Sequence, residues 1–156
     1  MTGTSNGSTD QGRGGHVHVR VALEFHIPSD VRYIEQVVAL VARQCRELHF
    51  HPRQVALNVP VALTEALSNA ILRGNEARAA AHVQVRAQVD EDRLIMEVVD
   101  EGSGFDLAEC LVDPTRPENV TREDGRGLYL MSRLMDRVER YTNHGNVVRM
   151  TLERDD

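Results

Sequence analysis

The feature that most constrains this chain is a strand-like run that ends in an acid and then bends at two glycines. Residues 94–99 are apolar except for one glutamate, and they are followed by Asp100-Glu101-Gly102-Ser103-Gly104-Phe105-Asp106. Glycine reaches positive φ and allows another group to approach the main chain closely. The pattern therefore predicts a carboxylate and bare backbone at one edge of a sheet.

A second pair of glycines, in Gly125-Arg126-Gly127, opens an apolar helix pattern further along the chain. The N-terminus of a helix offers unpaired N–H groups and a partial positive charge, which suit a phosphate group. We interpret the two glycine segments as half of a nucleotide site. The other half is expected upstream of them.

Charge and lysine content exclude several classes of protein. The net charge is −6, from 24 acids and 18 bases, so a general nucleic-acid surface is not expected. All 18 bases are arginine. A P-loop, a protein kinase of the eukaryotic type and a Schiff-base enzyme each need a lysine. If this chain uses ATP, it does so by another route.

The 156 residues are expected to form one domain, 16–156, behind a disordered tail. Residues 1–15 are mostly Gly, Ser and Thr, and they cannot offset their ordering entropy. No apolar run approaches the length of a membrane span, and no signal pattern opens the chain. Cys45 and Cys110 are expected to be free thiols in a reduced cytoplasm.

Hydrophobic periodicity predicts the order β-α-α-β-β-lid-α-β-β. The predicted strands are 16–25, 81–89, 94–99, 138–141 and 147–152, and the predicted helices are 31–48, 53–72 and one from about 127. Pro60 marks a kink or the true start of the second helix, and 102–124 is interpreted as a loop or lid. This order predicts an α+β two-layer sandwich with a mixed or antiparallel sheet and helices on one face.

Glu65 and Asn69 stand four residues apart on the second predicted helix and so share one of its faces. Alone, they are typical of the edge of a solvated helix face. Together with Asp100 and the glycines, they meet the demands of one ligand. Asn69 offers a neutral oxygen to Mg²⁺, and Glu65 offers a base near a phosphate chain. Asp100 can accept from an exocyclic amine such as that of adenine.

Three boxes in this order resemble the ATP site of the Bergerat-fold ATPases: Glu65-x-x-x-Asn69, Asp100-x-Gly102-x-Gly104 and Gly125-x-Gly127. The residues in and around these boxes are most similar to those of the anti-sigma factor serine/threonine kinases of bacteria. Proteins of that family bind ATP and phosphorylate an antagonist protein. The resemblance covers about residues 18 to 154.

We expect a mixed sheet with three helices on one face, and the resemblance assigns roles to single residues. Glu65 becomes the candidate catalytic base, Asn69 the Mg²⁺ ligand and Asp100 the adenine reader. The implied contacts to ATP are Asn69, Arg73, Asp100, Gly102, Gly104, Gly125, Arg126, Gly127 and Leu128. The implied partners are an anti-anti-sigma factor as substrate, a sigma factor and a second copy of the chain, with no nucleic acid and no membrane.

Two residues depart from related patterns. Arg73 stands where this branch often has histidine; it either steadies phosphate oxygens or is a surface arginine. Glu123 stands where many histidine kinases have a further glycine, which favours the anti-sigma branch. Three alternatives stay open: a nucleotide-gated binding module without phosphotransfer, the detached ATP domain of a histidine kinase, and an α+β domain with chance glycines.

Overall fold

The structure, a computed structural model, describes residues 17–75, 80–102 and 123–155, and for 123–126 the backbone alone. The predicted tail 1–15 lies outside the described residues, as does most of the predicted lid, including Gly104 and Cys110.

Five strands form one sheet in the order β1-β2-β3-β5-β4. They are β1 (Arg20–Pro28), β2 (His82–Asp90), β3 (Arg93–Asp100), β4 (Arg137–Thr142) and β5 (Asn146–Glu153). All four pairings between these described strands are antiparallel. The α+β class is confirmed. Of the two alternatives that the element order predicts, the described strands form the antiparallel sheet, so the mixed sheet is wrong for them.

The antiparallel pairing follows from the connections. The β2–β3 and β4–β5 hairpins can only be antiparallel. Two helices separate β1 from β2 along the chain. One helix runs back along the sheet and the next returns, so β2 starts at the end of the sheet where β1 finishes.

In the part of the chain that the structure describes, three helices accompany the sheet: α1 (Ile34–Glu47), α2 (Val59–Asn69) and α3 (Glu123–Leu134). A 3₁₀ turn, Val31–Tyr33, precedes α1, and its predicted cap is present because Asp30 Oδ1 accepts from Arg32 N at 2.9 Å. Helix α2 is extended at its two ends by π-helical turns, Gln54–Asn58 and Ala70–Gly74.

One helix boundary agrees with the prediction, since Pro60 marks the true start of α2, and the start of α3 differs from it. Pro60 lies in the first turn of α2, and the wider π turn before it accommodates a ring that would otherwise clash with the carbonyl four residues earlier. Helix α3 begins at Glu123 and not near 127, so Gly125 and Gly127 lie inside its first turns.

The helices pack on one face of the sheet around a single core. Alternate strand positions and one stripe of each helix supply its side chains, the largest fully buried ones being Leu63, Leu67, Ile71, Leu94, Met96, Leu128, Met131 and Met150. Cys45 is a free thiol in this core, as predicted, and desolvation raises its pKa to about 12. Such a thiol is inert, since the thiolate is the reactive form.

The expectation about membrane spans needs one correction. The continuous helix Gln54–Gly74 is long and apolar enough to cross a membrane by length and composition. In the structure this helix is the central core helix, with Leu63, Leu67 and Ile71 buried within the sandwich. A helix that packs against its own domain over much of its surface is apolar for that reason.

Candidate active site

Helix α2 presents the predicted acid–amide pair to α3. A Cβ atom on Gly127 would lie 3.0 Å from Glu65 Oε2 and 3.1 Å from Asn69 Nδ2, so both side chains reach this glycine. Two boxes that are far apart in the sequence therefore meet at one point. A larger residue at position 127 would displace one or both polar groups.

The side-chain amide of Asn69 contains a buried donor without a hydrogen bond among the described residues. Its Nδ2 has no hydrogen-bond partner among the described residues, although the atom is shielded from solvent. A buried polar group left in this state costs about 1–3 kcal/mol. Carboxylate and amide oxygens are the side-chain ligands that Mg²⁺ prefers, and it takes only one or two of them when phosphates supply others. Glu65 and Asn69 fit an Mg²⁺–phosphate group in their chemistry.

A second polar cluster lies at the end of β3. The Asp100 side chain is buried, and its Oδ1 accepts from Gly102 N at 2.8 Å and from Asn146 Nδ2 at 2.8 Å. Both of these bonds go to the same oxygen. The other oxygen, Oδ2, lies beside Gly74, where a Cβ atom would be only 2.0 Å away. The carboxylate is therefore fixed in orientation through one oxygen.

The main chain of α2 also touches the bend that follows Asp100. A Cβ atom on Gly102 would lie 1.7 Å from the carbonyl oxygen of Gly74, a distance that no side chain tolerates. This is the kind of close backbone approach for which glycine is required. The end of α2 and the acid–glycine bend thus form one packed unit.

Helix α2 connects the two clusters. Asn69 ends its α-helical part and Gly74 ends the π turn that follows. Five residues of helix rise by about 7 Å. An elongated ligand that contacts the carboxylate of Asp100 at one end would have the Glu65–Asn69 pair within reach of its other end.

The remaining predicted site residues are placed less directly. Arg73 lies on the exposed side of the last turn of the helix. Leu128 is fully buried in the core, so it would offer a ligand its backbone alone. Gly125 and Arg126 belong to the first turn of α3, and their side-chain surroundings lie outside the described residues, as does Gly104.

Sequence reasoning missed three residues of this site. Gly74 and Asn75 read only as a helix end, and no local pattern distinguishes their role. Asn146 did carry a signal: it continues the alternation of Val148, Met150 and Leu152, which places it on the buried face of β5. A polar residue on the buried face of a strand needs a partner, and Asp100 supplies it.

Comparison with known proteins identifies the family of the chain. Residues 27–152 match the family described as histidine kinase-like ATPase domain. The chain is 31% identical over 134 residues to the serine-protein kinase RsbW of Bacillus velezensis, covering 83% of each chain. It is 28% identical to RsbW of Bacillus subtilis over the same share. It is 29% identical over 100 residues to the anti-sigma F factor of Clostridium beijerinckii, covering 62% of this chain and 68% of that protein.

The family match, residues 27–152, includes the acid–amide helix, the acid–glycine bend and the glycines of α3. The chain therefore belongs to the histidine kinase-like ATPase family, and within it is related to serine-protein kinases and anti-sigma factors.

Proposed function

We propose that this chain is a serine/threonine protein kinase of the anti-sigma type, with residues 16–156 as its ATP-binding domain. It would bind Mg·ATP, phosphorylate an anti-anti-sigma antagonist and sequester a sigma factor. The observation that carries the proposal is the meeting of Glu65 and Asn69 with Gly127. Relatives named serine-protein kinase RsbW and anti-sigma F factor support the class of reaction and of partner.

Glu65 and Asn69 would have different roles at the phosphate end of the nucleotide. Asn69 would hold Mg²⁺ through its amide oxygen, and its buried Nδ2 could donate to a phosphate oxygen of the nucleotide. The ion, when bound, would supply positive charge to the phosphate oxygens. Glu65 orients the attacking serine or threonine hydroxyl of the partner and takes its proton late in the transfer. Positioning supplies most of the catalysis in this kind of reaction.

Asp100 reads the base at the other end of the nucleotide. Its Oδ1 is occupied by Gly102 N and Asn146 Nδ2, so Oδ2 is the oxygen that accepts from the exocyclic amine of adenine. Gly102 and Gly104 shape the surface beside the base. Gly125, Arg126, Gly127 and Leu128 present the start of α3 to the phosphates, and Arg73 contacts phosphate oxygens or solvent.

The substitution Gly127→Ala should affect Mg·ATP binding but not the stability of the fold. Alanine favours a helix over glycine by about 1 kcal/mol, which offsets the strain of a methyl group near Glu65 Oε2 and Asn69 Nδ2. We therefore expect thermal stability close to that of the unsubstituted chain and a clear loss of Mg·ATP affinity. Differential scanning fluorimetry with and without Mg·ATP measures both. Normal stabilisation by the nucleotide in Gly127→Ala would place the phosphates elsewhere.

The partners follow from the relatives and not from any surface of this chain. An anti-anti-sigma factor and a sigma factor are proposed as protein partners, and a homodimer as the assembly. No role for nucleic acid or membrane is proposed, and the cytoplasm is the proposed location.

One experiment tests the class of function directly. The purified chain is incubated with labelled Mg·ATP and with candidate antagonist proteins encoded beside it, and a parallel sample carries Glu65→Gln. Label on a serine or threonine of one candidate, lost in Glu65→Gln, is the expected result. Nucleotide retained without transfer would select the nucleotide-gated binding module. Absence of nucleotide binding would refute the proposal.

A further inference from the structure

Asn75 is the first residue after the helix Gln54–Gly74, and it is fully buried. Its backbone N donates to Ala70 O at 2.8 Å, which closes the helix. Its side chain makes three further hydrogen bonds. Oδ1 accepts from Glu101 N at 2.7 Å, and Nδ2 donates to His82 O at 3.0 Å and to Ser29 Oγ at 3.2 Å.

These bonds join the end of the helix to three strand ends. Ser29 follows β1, His82 opens β2, and Glu101 follows β3. An asparagine side chain supplies one acceptor and two donors at once, which an aspartate or an alanine does not. Removal of the amide would leave the Glu101 N–H and the His82 carbonyl without this partner.

The bond to Glu101 N lies within the acid–glycine bend. Gly74, the residue before Asn75, contacts Asp100 Oδ2 and the main chain at Gly102. Residues 74 and 75 therefore hold the bend at three consecutive positions. The contact at the middle position is a hydrogen bond in which Glu101 N donates to the side chain of Asn75.

We propose that Asn75 is a positioning residue. It fixes the bend against the end of the helix and thereby orients Oδ2 of Asp100 toward the base of the nucleotide. The inference rests on the proposed function and adds to it a determinant of base selectivity. Asn75 itself touches no substrate. It acts through Glu101 N on the acid that does.

The test is the ratio of affinities for ATP and ITP, whose bases differ at the exocyclic group and at the protonation of the neighbouring ring nitrogen, N1. Loss of folded protein lowers both affinities equally and leaves the ratio unchanged, so the ratio reports on positioning and not on stability. Asn75→Ala is expected to lower the ATP/ITP ratio by about tenfold, the equivalent of one hydrogen bond. Titration calorimetry well below the unfolding temperature measures it.

Ser29→Ala is the matched control. It removes one bond from the same amide but leaves the bond to Glu101 N in place. We expect Ser29→Ala to keep the ratio of the unsubstituted chain. Asn75→Asp keeps an acceptor for Glu101 N, and it should retain more of the ratio than Asn75→Ala. If Asn75→Ala does not fold, Asn75→Ser carries the same expectation.

The outcomes of this test distinguish a failure of the role proposed for Asn75 from a failure of the proposed function. A normal ratio in Asn75→Ala, together with a reduced ratio in Asp100→Asn, would overturn the role of Asn75 and leave the nucleotide site intact. An equal loss in Ser29→Ala and Asn75→Ala would also overturn it, because the bond to Glu101 N would not be the cause. Failure of the unsubstituted chain to bind ATP would refute the proposed function, and this inference with it.

Discussion

Replacing Glu65 with glutamine is expected to slow phosphoryl transfer by about 10²–10⁴-fold, the usual contribution of a general base. Glutamine keeps the size and shape of the side chain, so the contact with Gly127 is retained. It loses the ability to take the proton of the attacking hydroxyl. Binding of Mg·ATP should therefore change little, because the proposed contacts of Asn69 and of the α3 backbone with Mg·ATP remain in place. Single-turnover transfer from labelled ATP, with saturating partner, measures the chemical step.

A glutamate elsewhere on the helical layer provides the control. Glu35 lies exposed in the first turn of α1, so Glu35→Gln removes the same charge from the chain without touching the site. We expect its transfer rate and stability to match those of the unsubstituted chain, since exposed substitutions usually change stability by less than about 0.5 kcal/mol. Undiminished transfer in Glu65→Gln would remove Glu65 from the role of base.

The fold could largely be predicted from local patterns. Each predicted strand and helix exists, because its hydrophobic residues recur at every second position in strands and at every third or fourth position in helices. The errors lie at boundaries and in pairing. β1 extends to Pro28, which an edge strand tolerates because one side of its backbone needs no partner. The antiparallel pairing of all described strands depends on how two helices return the chain, and periodicity carries no such information.

The site was only partly readable for the same reason. Glu65, Asn69 and Asp100 stand out because polar residues interrupt apolar patterns. Two contacts around Asp100 are made by residues distant in the sequence: Asn146, which bonds to Asp100, is 46 residues away, and the Asn75–Glu101 bond spans 26. An asparagine in a turn or at a helix end is ordinary by itself. Its function appears only when the fold places it beside an acid.

Asp100→Asn is expected to weaken ATP binding by about 1.5–3 kcal/mol, the value of a hydrogen bond to a charged group, or about 10- to 150-fold. The structure determines which way the new amide must face. Gly102 N and Asn146 Nδ2 both donate to Oδ1, so the amide oxygen is held at that position. The NH₂ group then occupies the position of Oδ2, where it meets the amine of adenine as donor against donor. The same NH₂ group can donate to the carbonyl oxygen of hypoxanthine.

The substitution should therefore exchange base preference and not merely lower affinity: ATP binding falls while ITP binding rises. Asp92→Asn, at an exposed turn on the opposite end of β3 from Asp100, removes the same charge and is expected to leave both affinities unchanged. Unaltered ATP binding in Asp100→Asn would refute the assignment of adenine to this acid. A fall in ATP affinity without a rise for ITP would mean that Asp100 acts through its charge. In that case the fixed direction of its carboxylate, held by Asn146 and Gly102, would have no part in choosing the base.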